Sequence, residues 1–131
     1  MSDTSRPDKG DLVASFRYAM EGLWYVLRAE RNARIHLIMA VLVILVGAWL
    51  QLSAIEWVLM IAAIALVFAG EMLNTVVELT IDLITPERNS LAKRAKDVAA
   101  GAILVAAVAA AVMGLLILGP RLWLKLAVLW R

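Results

Sequence analysis

The chain reads as an all-α integral membrane protein, with an N-terminal amphipathic surface helix followed by three transmembrane helices. Three observations predict this. Of its 131 residues, 63% are hydrophobic and 18% charged, and the mean hydropathy of +0.85 is too high for a small soluble domain. Two stretches of 21 residues, one between Arg34 and Glu56 and one from Val98 to Leu118, carry no formal charge apart from the possible one on His36. A third apolar segment, from about Ala54, continues into Glu71, Asn74, Thr75, Glu78 and Asp82, which share one helical stripe about 100° wide.

Composition removes several function classes. The net charge of +2 is small, and the basic residues flank apolar segments instead of interleaving with aromatics, so there is no nucleic-acid signature. Without cysteine there is no disulfide, thiolate metal site or Cys nucleophile, and a single histidine excludes a His-rich metal site within one chain. The first 34 residues carry eleven charges and no early apolar core, which is unlike a secretory signal. The length suits a single membrane-embedded domain.

Taken in order, residues 1–11 are polar, contain Pro7 and Gly10, and are expected to be flexible. From Leu12 to Arg34 the spacing predicts the surface helix, with Leu12, Phe16, Ala19, Met20, Leu23 and Leu27 on one face and Arg17, Glu21 and Arg28 opposite. Tyr18, Trp24 and Tyr25 suit the headgroup level, and beside so much apolar sequence the interfacial reading is preferred to a soluble packed helix. The same helical phase puts Glu30 and Arg34 on the apolar face, either as an i,i+4 ion pair worth ~0.2–0.5 kcal/mol or as a carboxylate aimed inward. Span 1 covers residues 35–52, with His36 read as an interfacial or capping residue. Span 2 covers 54–84 and stops before Pro86. Span 3 covers 91–118 and is rich in alanine, as close helix packing requires, and Gly119-Pro120 is expected to end it. Residues 121–131 form a further interfacial candidate, with Trp123, Leu126 and Trp130 on one side.

Lys and Arg number six before span 1, none between spans 1 and 2, and four between spans 2 and 3. The N-terminus and the second loop are therefore expected on the cytoplasmic side, against the three basic residues of the tail.

The stripe is where chemistry is expected, since ionisable groups within a membrane helix cost roughly 2.5–3.5 kcal/mol each on insertion scales. Glu71, Asn74 and Glu78 lie near the end of span 2, and Lys93, Lys96 and Asp97 open span 3 across a short loop. Carboxylates beside lysines at a helix start can hold Mg²⁺ and phosphate, and a spare carboxylate can act as general base. These are the parts for phosphoryl transfer to a lipid alcohol. Neither a Walker loop nor a protein-kinase motif set is present. From the residues alone, an ion- or proton-conducting subunit using Glu71 and Glu78, and plain helix–helix hydrogen bonding, stay open beside the kinase reading.

Glu71-Met72-Leu73-Asn74-Thr75-Val76-Val77-Glu78, followed by Ala95-Lys96-Asp97-Val98-Ala99-Ala100-Gly101-Ala102, resembles the E-x-x-N-[ST]-x-x-E … A-K-D signature of the small prokaryotic diacylglycerol kinase family. With Arg31-Asn32-Ala33-Arg34-Ile35-His36 it looks most like the undecaprenol kinase branch, and the likeness runs from about Ser15 to Gly114. The resemblance implies a homotrimeric helical bundle in a bacterial plasma membrane, with sites shared between protomers at the cytoplasmic interface. It also implies ATP as donor with Mg²⁺, and a lipid alcohol, undecaprenol or else diacylglycerol, as acceptor.

By the same resemblance Glu71 is the catalytic base with Asn74 beside it, and Glu30 and Glu78 hold Mg²⁺ against the ATP phosphates. Tyr18, Glu87, Lys96 and Asp97 contact nucleotide, while Phe16, Ala19, Met20, Arg34 and Glu71 meet the lipid. The better-known diacylglycerol kinase branch has a basic residue where Asp11 stands, leaving Lys9 as the substitute. It also has an aromatic and a histidine where Arg88 and Asn89 stand, and differs at Phe16, Ala19 and Met20. These departures favour the polyprenol substrate.

Overall fold

The computed structural model describes residues 12–85, 87 and 89–129. The expectations placed on residues 1–11, including Lys9 and Asp11, and on Pro86, Arg88, Trp130 and Arg131 lie outside these. Four helices make up the fold: α1 (Leu12–Ala29), α2 (Arg31–Leu50), α3 (Ala54–Ile84) and α4 (Ser90–Leu129). Helices α2, α3 and α4 are each long and apolar enough to cross a membrane. At 1.5 Å per residue α2 is about 30 Å long, one hydrocarbon thickness, and α3 and α4 are about 46 and 60 Å. The chain is an integral membrane protein, and most of its large apolar side chains point outward, as a bilayer solvent allows.

The first helix ends earlier than its periodicity suggests. Glu30 leaves the helix with extended backbone (φ −97°, ψ 120°) and stands as the N-cap of α2. The expected single helix from 12 to 34 is thus two, and Glu30 and Arg34 do not continue the helical phase of α1. Among the described residues no ion pair joins them. The first half of the apolar stripe of α1, from Leu12 to Met20, also faces away from the rest of the chain, while Leu23 and Leu27 are half-buried. Ala14 and Val26 are its buried residues, whereas Leu12 and Phe16 stand largely exposed. An interfacial helix turns its apolar stripe to acyl chains in this way.

Helices α2 and α3 form a tight hairpin. Gln51 takes the left-handed conformation (φ 56°, ψ 56°) that closes α2, with its N–H on the Ala48 carbonyl and that of Leu52 on the Gly47 carbonyl. Ser53 then opens α3 in a capping box: its hydroxyl accepts from the Glu56 N–H, and its own N–H donates to Glu56 Oε2 at 2.7 Å. Gly47 lets the two helices approach, because a Cβ there would lie 3.0 Å from both Leu52 Cδ1 and the Trp57 ring. Below this turn Leu50, Leu52 and Met60 form a small core with Trp57, Ile117 and Leu118 around it.

Helix α4 corrects the expectation that Gly119-Pro120 ends the third span, for it runs on to Leu129 with Pro120 inside. An interior proline ordinarily costs ~3 kcal/mol or more. Here the residues beyond it are tied to the α2–α3 turn. Arg121 grips Glu56 with two nitrogens, at 2.6 and 2.7 Å, and reaches the Gln51 carbonyl at 3.2 Å. Lys125 donates to the Trp49 carbonyl at 2.5 Å and lies over that residue's ring. Two of the three tail cations therefore have partners at this end of the bundle.

Candidate functional site

At the opposite half of the bundle the stripe on α3 turns inward. Burial falls off along it: Glu71, Asn74 and Thr75 are buried, Glu78 is half-buried and Asp82 is exposed. Glu71 is only 1% exposed, one of the two most completely buried large side chains, the other being Met60. An ionisable group placed so deep needs a partner or a task.

Its surroundings are specific. His36, on the first turns of α2, brings Nε2 to 3.2 Å from Glu71 Oε1. The alignment is not that of a hydrogen bond, and among the described residues Glu71 Oε1 has no hydrogen-bond partner. Glu78 lies seven residues, about two turns, further along the same stripe. Asn74 donates through Nδ2 to Glu78 Oε1 at 3.0 Å, one turn further along, and its Oδ1 has no partner among the described residues. Asn74 therefore orients Glu78 and not Glu71, although it was expected beside the base. The Thr75 hydroxyl donates to the Glu71 backbone carbonyl at 3.0 Å, a bond that leaves the carboxylate untouched.

Beyond Glu78 a polar hollow of about 660 Å³ lies between the end of α3, the loop and the start of α4, and is lined by Asp82, Glu87, Lys93, Lys96 and Asp97 among others. Lys96 and Asp97, expected as a pair, are each bound elsewhere. Lys96 Nζ is 2.6 Å from Asp82, and Asp97 is 2.9 Å from Lys93. Asn89 caps the start of α4, its side chain accepting from the Leu91 N–H at 2.8 Å. On the other side of His36 an apolar cavity of about 260 Å³ runs between α2, α3 and α4, walled by alanines and by Met39, Met60 and Phe68.

The structure thus keeps Glu71 and Glu78 on one stripe of α3 and sets Glu87, Lys96 and Asp97 around the hollow, while among the described residues no three carboxylates or histidines gather as a metal-holding group. Phe16, Ala19, Met20 and Arg34 lie on exposed faces of α1 and α2. Tyr18 is exposed on α1, its hydroxyl 3.4 Å from Arg17. None of these five lines the polar hollow. Two residues gain a place that sequence reasoning had not given them. His36 was read as interfacial, yet counting back from the Gln51–Ser53 turn sets it opposite Glu71. Asp82 belonged to the stripe without a role, and it holds Lys96.

A buried carboxylate, a half-buried one that accepts from an amide, and a lysine-bearing hollow beyond them are groups of the kind that phosphoryl transfer uses. The chain belongs to the prokaryotic diacylglycerol kinase family, whose model matches residues 17–118. It is 45% identical to the undecaprenol kinase of Bacillus subtilis, over 92% of this chain and 98% of that one. To the diacylglycerol kinases of Synechocystis and Escherichia coli K12 it is 42% and 31% identical, over 86% and 77% of this chain and 65% and 83% of theirs. Family membership selects the lipid kinase from the three readings the residues left open.

Proposed function

We propose that the protein transfers the γ-phosphate of ATP to undecaprenol, with Mg²⁺, at the cytoplasmic face of a bacterial inner membrane. The observation that carries this is Glu71, sealed in the bundle with one oxygen unpartnered among the described residues. An identity of 45% over 98% of a relative named undecaprenol kinase supports the choice of lipid. Diacylglycerol is the second reading, supported by the names of the other relatives.

Glu71 takes the proton of the lipid hydroxyl while that oxygen attacks the γ-phosphorus, and ADP leaves. Its desolvation suits it to a base that must reach an alcohol at the edge of hydrocarbon. Glu30 and Glu78 would hold Mg²⁺, which needs only one or two carboxylates when phosphate oxygens supply the rest. Asn74 fits that role by fixing one Glu78 oxygen. The ion, when bound, would neutralise charge on the phosphates. Lys96 releases Asp82 to meet phosphate, and Glu87 and Asp97 border the nucleotide. Tyr18, Phe16, Ala19, Met20 and Arg34 complete nucleotide and lipid contacts from a neighbouring protomer of a homotrimer, which accounts for their exposure in one chain. The apolar cavity beside His36 suits the first units of a prenyl chain.

The test is phosphate transfer from Mg·ATP in mixed micelles, with undecaprenol and diacylglycerol offered in parallel and Glu71→Gln as control. Transfer to undecaprenol that Glu71→Gln abolishes is expected. Preference for diacylglycerol would overturn the substrate, and transfer that survives Glu71→Gln would overturn the base.

A further inference from the structure

We propose that His36 is the positioning residue for Glu71. Its Nε2–H holds Oε1 of the carboxylate, so that the other oxygen faces the alcohol. This rests on the reading of Glu71 as base and goes beyond it.

Three features of the site carry the inference. The first is proximity: Nε2 lies 3.2 Å from Oε1, with the imidazole 24% and the carboxylate 1% exposed. Small rotations of the ring convert this contact into a hydrogen bond, and catalytic hydrogen bonds commonly tighten only when substrate is bound. The second is elimination. Among the described residues the cationic or imidazole nitrogen within 4 Å of the Glu71 carboxylate is His36 Nε2. Of the neighbouring donors on α3, Asn74 Nδ2 is directed to Glu78 and the Thr75 hydroxyl to the backbone, and neither bonds the Glu71 carboxylate. A buried carboxylate on a side chain with three rotatable bonds and no donor has no reason to hold one orientation.

The third is location. His36 lines the apolar cavity and also touches Glu71, so it stands where a hydrocarbon chain would give way to the reacting hydroxyl. In this role Nε2–H only donates, and the ring passes no proton. The hydroxyl proton goes to Glu71, the new O–P bond forms, and the bond to the departing diphosphate breaks with its electron pair.

The test pairs His36→Gln, which keeps a donor at about the same reach, with His36→Met, which matches it in length and suits the apolar wall without donating. Both are read by steady-state kinetics in micelles, with assembly checked by size exclusion. His36→Met should lower kcat by at least about tenfold, as loss of an orienting donor does, with KM for lipid and Mg·ATP within about twofold. His36→Gln should stay within about fivefold of the parent. Equal loss in both variants, no loss in either, or a change confined to the lipid KM would overturn the proposal. Wild-type protein inactive on both lipids, or an active Glu71→Gln, would instead remove the base reading. Full activity of His36→Met beside an inactive Glu71→Gln removes only the role of His36.

Discussion

Replacing Asn74 with leucine separates the orientation of Glu78 from its charge. Asn74 is 7% exposed and its Nδ2 donates to Glu78 Oε1 at 3.0 Å, so leucine keeps the volume and removes the donor. A hydrogen bond to a charged acceptor is worth ~1.5–3 kcal/mol, and a factor of ten corresponds to about 1.4 kcal/mol, so whatever depends on a well-aimed Glu78 should weaken by roughly 10- to 150-fold. If Glu78 holds the cation, that loss appears as a rise in the Mg²⁺ concentration needed for half-maximal rate at fixed ATP. The lipid KM should move little. Asn74→Asp should be worse, since it sets a second carboxylate against Glu78. A Mg²⁺ titration of the leucine variant that overlays the wild-type curve, with activity within about twofold, would refute the link from Asn74 to the cation through Glu78.

Other outcomes follow from the same geometry. Glu71→Gln should lose nearly all turnover while eluting as the parent assembly, and a dissociated or aggregated species would show that Glu71 serves packing. Lys96→Met should raise the KM for Mg·ATP strongly, whereas Asp82→Asn, which breaks a largely exposed ion pair, should change it by less than about fivefold. A larger effect of Asp82→Asn would mean that Asp82 itself meets the nucleotide complex. Deleting residues 120–131 removes Arg121 and Lys125 from the α2–α3 turn and should lower the unfolding temperature in detergent, with kcat of the surviving fold kept. Lost kcat at unchanged stability would place the tail in catalysis. Gly47→Val should also destabilise, by ~1–3 kcal/mol, because its side chain would press on Leu52 and the Trp57 ring.

The sequence by itself determined the parts whose cause is local. Charge-free runs of bilayer length specify spans, because solvation by hydrocarbon depends on composition and hardly on partners. The 3.6-residue period placed Glu71, Asn74, Glu78 and Asp82 on one stripe, and the motif spacing across the loop carried the family. Tertiary structure decided what depends on a neighbouring element. The break at Glu30 replaces a helical phase that periodicity alone would continue, since backbone hydrogen bonds leave no mark on the apolar pattern. Pro120 reads as a stop until Glu56, Trp49 and Gln51, some 65 to 76 residues away, are seen to hold the chain beyond it. His36 is unremarkable on α2 and acquires meaning only from the hairpin that sets it against Glu71. Partner choice among Asp82, Lys93, Lys96 and Asp97 likewise rests on where two helix ends meet, because an ion pair forms over a few ångströms of space and is indifferent to distance along the chain.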